Sequence, residues 1–296
     1  MMSARRSLAE VRPGESIGFG RLAAVGLIAG TVLAEACSSV LQGTLWWMLV
    51  ETFCRAIGIT PPSVVWFMLV AVLLLPFLLA GAAMLAGAGG RIWQAQVGGR
   101  RPSDREQQLL DAALAALRER DPRLAGPRSW FVLDTPAIRA CCSGQTLMLS
   151  RGLLHSPWLA AALAHELSHL ASWDARLTAA LSALFRAPLR QQDSGERDVE
   201  APGLLAQLGR PLAMILAGEL ATLLTRPAWG AYFRAREYRA DLHAARLGQA
   251  QQLIEVLERY GPEAPEPFAL LKGVRHPPIE HRVQRIHQYQ QAHAHA

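Results

Sequence analysis

The passage that most limits what this chain can fold into is "VVWFMLVAVLLLPFLLAGAAMLAGA", Val64 to Ala88, 25 residues without a charged side chain. As a helix it would be about 37 Å long against a hydrocarbon core of about 30 Å, too long for an ordinary core helix and sufficient for a membrane span. Pro76 predicts a kink within it. An earlier apolar stretch, Leu22 to Val50, is interrupted by Glu35, Ser38, Ser39 and Gln42. It reads as a first span, or as a signal peptide whose apolar run ends near Ala34 and Ala36. Arginines gather before the first segment (Arg5, Arg6, Arg12, Arg21) and after the second (Arg91, Arg100, Arg101, Arg105), while residues 51–63 hold only Arg55. The positive-inside rule then makes a hairpin and puts everything after residue 91 on the cytoplasmic face of a bacterial-type inner membrane. The expected division is an N-terminal membrane hairpin over 1–97, with spans about 22–50 and 64–88, and a second domain over 98–296.

Beyond the hairpin, "GGRRPSDRE" at 98–106 is a polar junction in which Ser103 and Glu106 have capping-box spacing. Leu109, Leu110, Ala113, Leu114 and Leu117 follow at helical spacing to about residue 119. "RSWFVLDT" and "QTLMLSRG" read as two short strands on either side of a turn-rich stretch. The expected fold class is mainly α with a small β-sheet, an α+β domain behind a transmembrane helical hairpin. Within 175–230, "ARLTAALSALFRAPL" and "PLAMILAGELATLLT" flank a polar loop, "RQQDSGERDVEAP". Each apolar piece is short for a span and carries an Arg or Glu, which favours packed or interfacial helices and leaves a second membrane hairpin open.

The net charge of +6 is carried almost wholly by arginine, Lys272 being the only lysine. Arginines facing anionic lipid account for part of it, and no nucleic-acid-binding motif is present. Cys37, Cys54, Cys141 and Cys142 lack zinc-finger spacing, and the adjacent pair is expected to stay reduced in a cytoplasmic domain. The His-containing end "AHAHA" reads as a solvated tail.

The chemistry is concentrated in "LAAALAHELSHLASWD", Leu159 to Asp174. Ser156 as N-cap and Pro157 at the first helical position, followed by a run of Ala and Leu, predict a helix. Residues four apart then share a face, so the imidazoles of His165 and His169 can hold one zinc ion. Glu166 is rotated about 100° from His165 and comes beside the metal, where a general base belongs. A catalytic zinc usually takes three protein ligands. In "AREYRADLHAARLG", residues 235–248, Glu237 and Asp241 are four apart on one helix face, so Glu237 could bind the metal while Asp241 orients a ligand histidine. Surface pairing of Glu237 with Arg234, Arg236 or Arg239 is the plain alternative, and His243 and Glu219 are rival ligands.

Taken together, "ALAHELSHLASWD", "REYRAD" and "HPPIEHRVQRI" resemble the three signature segments of the HtpX-like and CAAX prenyl protease family of integral-membrane zinc metalloendopeptidases. The resemblance covers about residues 100 to 290 and implies a zincin-like metalloprotease domain. It implies one zinc per chain on His165, His169 and Glu237, with Glu166 as base, and makes Asp174 and Asp241 supporting acids. His276 matches a histidine that hydrogen-bonds substrate or the developing oxyanion, and Arg282 a structural arginine. The family commonly has a second hairpin between the two metal-binding helices, which strengthens that reading for 175–230. The chain departs from the family where Asn-Ala-Phe-Ala is usual on an edge strand that aligns substrate: here stand Arg139, Ala140, Cys141 and Cys142.

The expected activity is cleavage of membrane or misfolded proteins in quality control, with a protein or peptide substrate and the lipid bilayer as partners. The alternatives are a non-catalytic membrane zinc-binding or sensor protein, against which an intact Glu166 argues, and a CAAX-type peptide-processing protease. The latter is disfavoured because two or four spans are too few for an enclosed helical chamber.

Overall fold

The structure is a computed structural model and describes residues 15–87, 94–95, 97–172, 175–177, 179–180, 220–260 and 277–293. Helix α1 runs over Glu15–Ala56 and helix α2 over Val64–Leu85, with Pro76 inside the latter. Both are long and apolar enough to cross a membrane, and among the described residues of α2 hardly any is fully buried. The polar interruptions of the first segment do not break α1. Thr31, Ser38, Ser39 and Gln42 are buried, while Leu33, Val40, Trp46, Met48 and Leu49 are exposed. Polar groups inward and apolar groups outward is the arrangement that hydrocarbon, rather than water, would select. The two helices cross closely at Gly43, where a Cβ would press 2.5 Å from Val70 Cγ2, and Trp66 Nε1 donates to Thr44 Oγ1 at 3.1 Å.

Helix α3, Asp104–Arg118, starts with the predicted capping box. The Glu106 side chain accepts from Ser103 N at 2.8 Å, and Glu106 N donates to Ser103 Oγ at 3.4 Å. Leu110, Leu114 and Leu117 are its buried stripe. Arg100, on the junction, donates to both carboxylate oxygens of Glu106 at 2.6 and 2.8 Å and to Asp134 at 2.6 Å. Hydrogen bonds from Arg100 hold the Glu106 carboxyl at about 2, well below its ordinary value.

The sheet has three strands, β1 (Ser129–Leu133), β2 (Ala140–Ser143) and β3 (Thr146–Ser150), in the order β1-β3-β2. β3 is central and wholly buried, parallel to β1 and antiparallel to β2. Ser143 pairs with Thr146, so the β2–β3 connection is the two residues Gly144 and Gln145, and Gly144 has the positive φ of 63° that such a turn demands. Composition alone reads 136–144 as turn. The structure instead adds an edge strand there, as the family resemblance implies.

Ser150 caps a short helix α4, Arg151–Leu154, by accepting from Leu153 N at 3.2 Å. Gly152 lies against the Pro136 carbonyl, which leaves no room for a Cβ. Helix α5 spans Leu159–Ala171, starting later than Ser156 and Pro157 predict. Ser156 is engaged by the preceding turn: its Oγ donates to Leu153 O at 2.9 Å and accepts from Trp158 N at 3.3 Å.

Helix α6, Leu220–Ala244, is followed by a kink over Ala245–Gln249 centred on Gly248 (φ 81°), then by α7, Ala250–Tyr260. Helix α8 covers Ile279–His293. One core joins α3, β3, α5, α7 and α8 through Leu114, Leu147, Leu163, Leu167, Leu253 and Ile286. A second cluster, Leu177, Trp229, Tyr232 and Phe233, packs against Leu27 and Ile28 of α1 and Leu85 of α2. There Trp229 Nε1 donates to the buried Thr31 Oγ1 at 2.8 Å. Most of the region 175–230, including the question of a second hairpin, lies outside the described residues.

Candidate metal centre

Helix α5 turns Leu163, Ala164 and Leu167 to the core and brings both histidines against α6, where they are buried. Glu237, two turns past Trp229 on α6, is buried opposite them. The His165 and His169 Nε2 atoms are 3.3 Å apart. Glu237 Oε2 stands 3.5 Å from His165 Nε2, and Oε1 stands 3.4 Å from His169 Nε2. Two ligand atoms bound about 2.0–2.1 Å from one tetrahedral zinc are about 3.3–3.4 Å apart, so the spacing of the two histidine nitrogens, and of each from its nearer Glu237 oxygen, fits the ion. Among the described residues these three form the one group of His, Cys, Asp and Glu able to share an ion. The rival His243 is half-buried outside the group, and Glu219 is not among the described residues.

The charged groups behind the donors are a carboxylate from α6 and a guanidinium from α8. Asp241 Oδ1 is 3.0 Å from His165 Nδ1, close enough for an ionic contact though not aligned as a linear hydrogen bond. Arg282 reaches from α8 to bind Asp241 with both arms of its fork, Nε to Oδ2 at 2.8 Å and Nη2 to Oδ1 at 2.6 Å. The same Nη2 is 3.8 Å from Glu237 Oε2. Burial works against the charge on His165, but Asp241 and Glu237 outweigh it and push its pKa up to about 9. Burial likewise opposes charge on Asp241, where Arg282 prevails and holds the carboxyl below its ordinary value. The pocket favours positive charge at the point where the three donors meet.

Arg236 escapes sequence reasoning. It does pair with Glu237, Nη2 to Oε1 at 3.0 Å, but as a buried group beside the donors rather than as the surface partner that composition suggests. Its guanidinium also lies over Phe233, 5.4 Å from the ring centroid.

Glu166 is half-buried on α5, with edge strand β2 packed alongside that helix. Ala140 and Cys142 face the core, and burial, then the charge of Glu166, push the Cys142 thiol well above its usual range. Arg139 precedes the strand, and its backbone N–H donates to Ser150 Oγ at 3.0 Å. Cys141 alternates to the other face from Cys142. Asp174 and His276 lie outside the described residues.

The chain is similar to "Protease HtpX" of Vibrio vulnificus (strain YJ016), with 29% identity over 147 residues, 43% of this chain and 50% of that protein. It is similar to "Protease HtpX homolog" of Limosilactobacillus fermentum, with 28% identity over 202 residues, 53% and 65% of the two chains. It is also similar to "Protease HtpX" of Acinetobacter baumannii (strain AYE), with 30% identity over 174 residues, 47% and 56%. The chain thus spans between half and two thirds of the length of these relatives. Among solved structures it is similar to the crystal structure of S. mikatae Ste24p, with TM-score 0.42 and 19% identity, covering 88% of this chain and 66% of that one. The family model described as Peptidase family M48 matches residues 105–290, which include His165, Glu166, His169, Glu237, Asp241 and Arg282. With that match running over more than half of its length, the chain belongs to peptidase family M48.

Proposed function

We propose that this chain is a membrane-bound zinc metalloendopeptidase that hydrolyses peptide bonds of membrane or misfolded proteins at a site on the cytoplasmic face. The observation that carries this reading is the donor triangle of His165, His169 and Glu237 with Glu166 one residue along the same helix. Zinc, when bound, supplies a Lewis acid that polarises the scissile carbonyl and lowers the pKa of water toward about 7. Glu166 takes the proton from the attacking water and delivers it to the leaving amine. Asp241, clamped by Arg282, orients His165, and Asp174 has the matching supporting role. His276 donates to the substrate carbonyl as negative charge develops there. The outer edge of β2, from Arg139 to Ser143, takes the substrate as an added strand, because backbone pairing holds a peptide without demanding one sequence.

The deciding experiment purifies Glu166→Gln in detergent, measures its zinc, and follows cleavage of an unfolded membrane-protein substrate. The expected outcome is wild-type zinc with a rate lower by about 10² to 10⁴. Full zinc with near wild-type cleavage removes Glu166 from the mechanism. If neither form cuts while both bind a partner, the non-catalytic zinc-binding reading replaces this one.

A further inference from the structure

The metal centre leaves one strongly charged surface without a role. Between α6 and α8 lies a groove of about 460 Å³ lined by Arg234, Tyr238 and Arg239 on one side and Arg285 on the other. No carboxylate lines it among the described residues. Arg234 and Arg285 are exposed. Arg285 is held over the groove by the Tyr238 ring, its guanidinium carbon 4.0 Å from the centroid.

Its position relative to the hairpin says what it faces. Trp229, Tyr232 and Phe233 of α6 pack against Leu27 and Ile28, near the start of the first span, and against Leu85, the end of the second. Both open ends of the hairpin therefore meet at one level. That level carries the Trp and Tyr typical of a membrane–water boundary. Arg234 follows Phe233 directly, and Tyr238 and Arg239 lie about 8–9 Å beyond Phe233 along the helix. A headgroup layer is about 5–8 Å deep on each side of the hydrocarbon.

We propose that this groove is a headgroup site for an anionic phospholipid, whose phosphate oxygens accept hydrogen bonds from the guanidinium forks of Arg234 and Arg285. The proposal rests on the hairpin spanning the membrane. A lipid held there ties α6 to α8 and seats the metal-binding helices against the bilayer surface.

The test uses the purified full-length chain in detergent, with native mass spectrometry counting bound phosphatidylglycerol against phosphatidylcholine. The wild type is expected to retain one phosphatidylglycerol in preference. Arg234→Gln combined with Arg285→Gln should weaken it roughly twenty-five-fold, about fivefold for each arginine near an anionic headgroup. Arg123→Gln with Arg128→Gln, exposed and away from the groove, should leave binding unchanged. Equal weakening by both pairs, or none by the first, overturns the site. Displacement of the lipid by millimolar inorganic phosphate overturns the lipid in favour of a free anion. An alkaline carbonate wash separates this from the membrane reading: release of the wild type sinks the hairpin, whereas retention with an unaltered lipid count sinks only the groove.

Discussion

Glu237 is engaged from two sides. Its carboxylate oxygens face His165 and His169, and Oε1 also takes a hydrogen bond from buried Arg236. Glu237→Ala removes the third donor and leaves Arg236 buried without that carboxylate. It should therefore lose most of its zinc by metal analysis, whereas His243→Ala, outside the donor group, should keep it. Full zinc in Glu237→Ala would end this ligand assignment. Arg282→Lys keeps the charge but cannot make the two-armed contact to Asp241. Competition against a chelator should show zinc affinity lower by about 10- to 100-fold, the usual cost of disturbing a ligand's support; an unchanged affinity would detach Arg282 from the metal. The pairing of Glu237 with Asp241 is legible in the sequence because i, i+4 spacing fixes a shared face. The burial of Arg236 is not, since it depends on what packs over α6 from elsewhere in the chain.

At the scale of elements, local signals were legible wherever a few neighbouring residues settle the geometry. The Ser103–Glu106 box starts α3 where its spacing predicts. The start of α5 is displaced because Ser156 serves the turn before it, a competition between two neighbouring uses of one hydroxyl. The box also has a pH signature. The Glu106 pKa is about 2 in the folded chain against an ordinary 4.5. Its stabilisation is thus fully present above about 4.5 and lost as pH falls from there through about 2. The stability gap between wild type and Glu106→Gln in denaturant titrations should narrow from pH 7 to pH 3; a constant gap would contradict the ion pair. Gly152→Ala drives a methyl into the Pro136 carbonyl, a backbone atom that a rotamer change cannot move aside. Thermal unfolding should show a loss of about 2 kcal/mol or more, the range of backbone clashes in a packed site. A wild-type melting temperature would mean that the 136–152 contact yields freely.

Across the whole molecule, the arginine clusters around the hairpin predict orientation independently of the site. A periplasm-active reporter fused after residue 100 should be silent and one fused near residue 58 active; the reverse would put the metal centre on the other face. Composition shows where the apolar lengths lie, but not that the polar residues of α1 turn inward. That choice is made by α2 and α6, about 30 and 200 residues away, and no local window contains it. The contact between Thr31 and Trp229 bears on how such a chain can be inherited. An apolar hairpin borrowed from an unrelated membrane protein would match the bilayer in length, yet offer no hydroxyl to the buried indole and no small residues at the crossings. The hairpin and the metal-binding domain are therefore expected to descend together, with substitutions in one recorded as compensations in the other, rather than to be exchanged as separate modules.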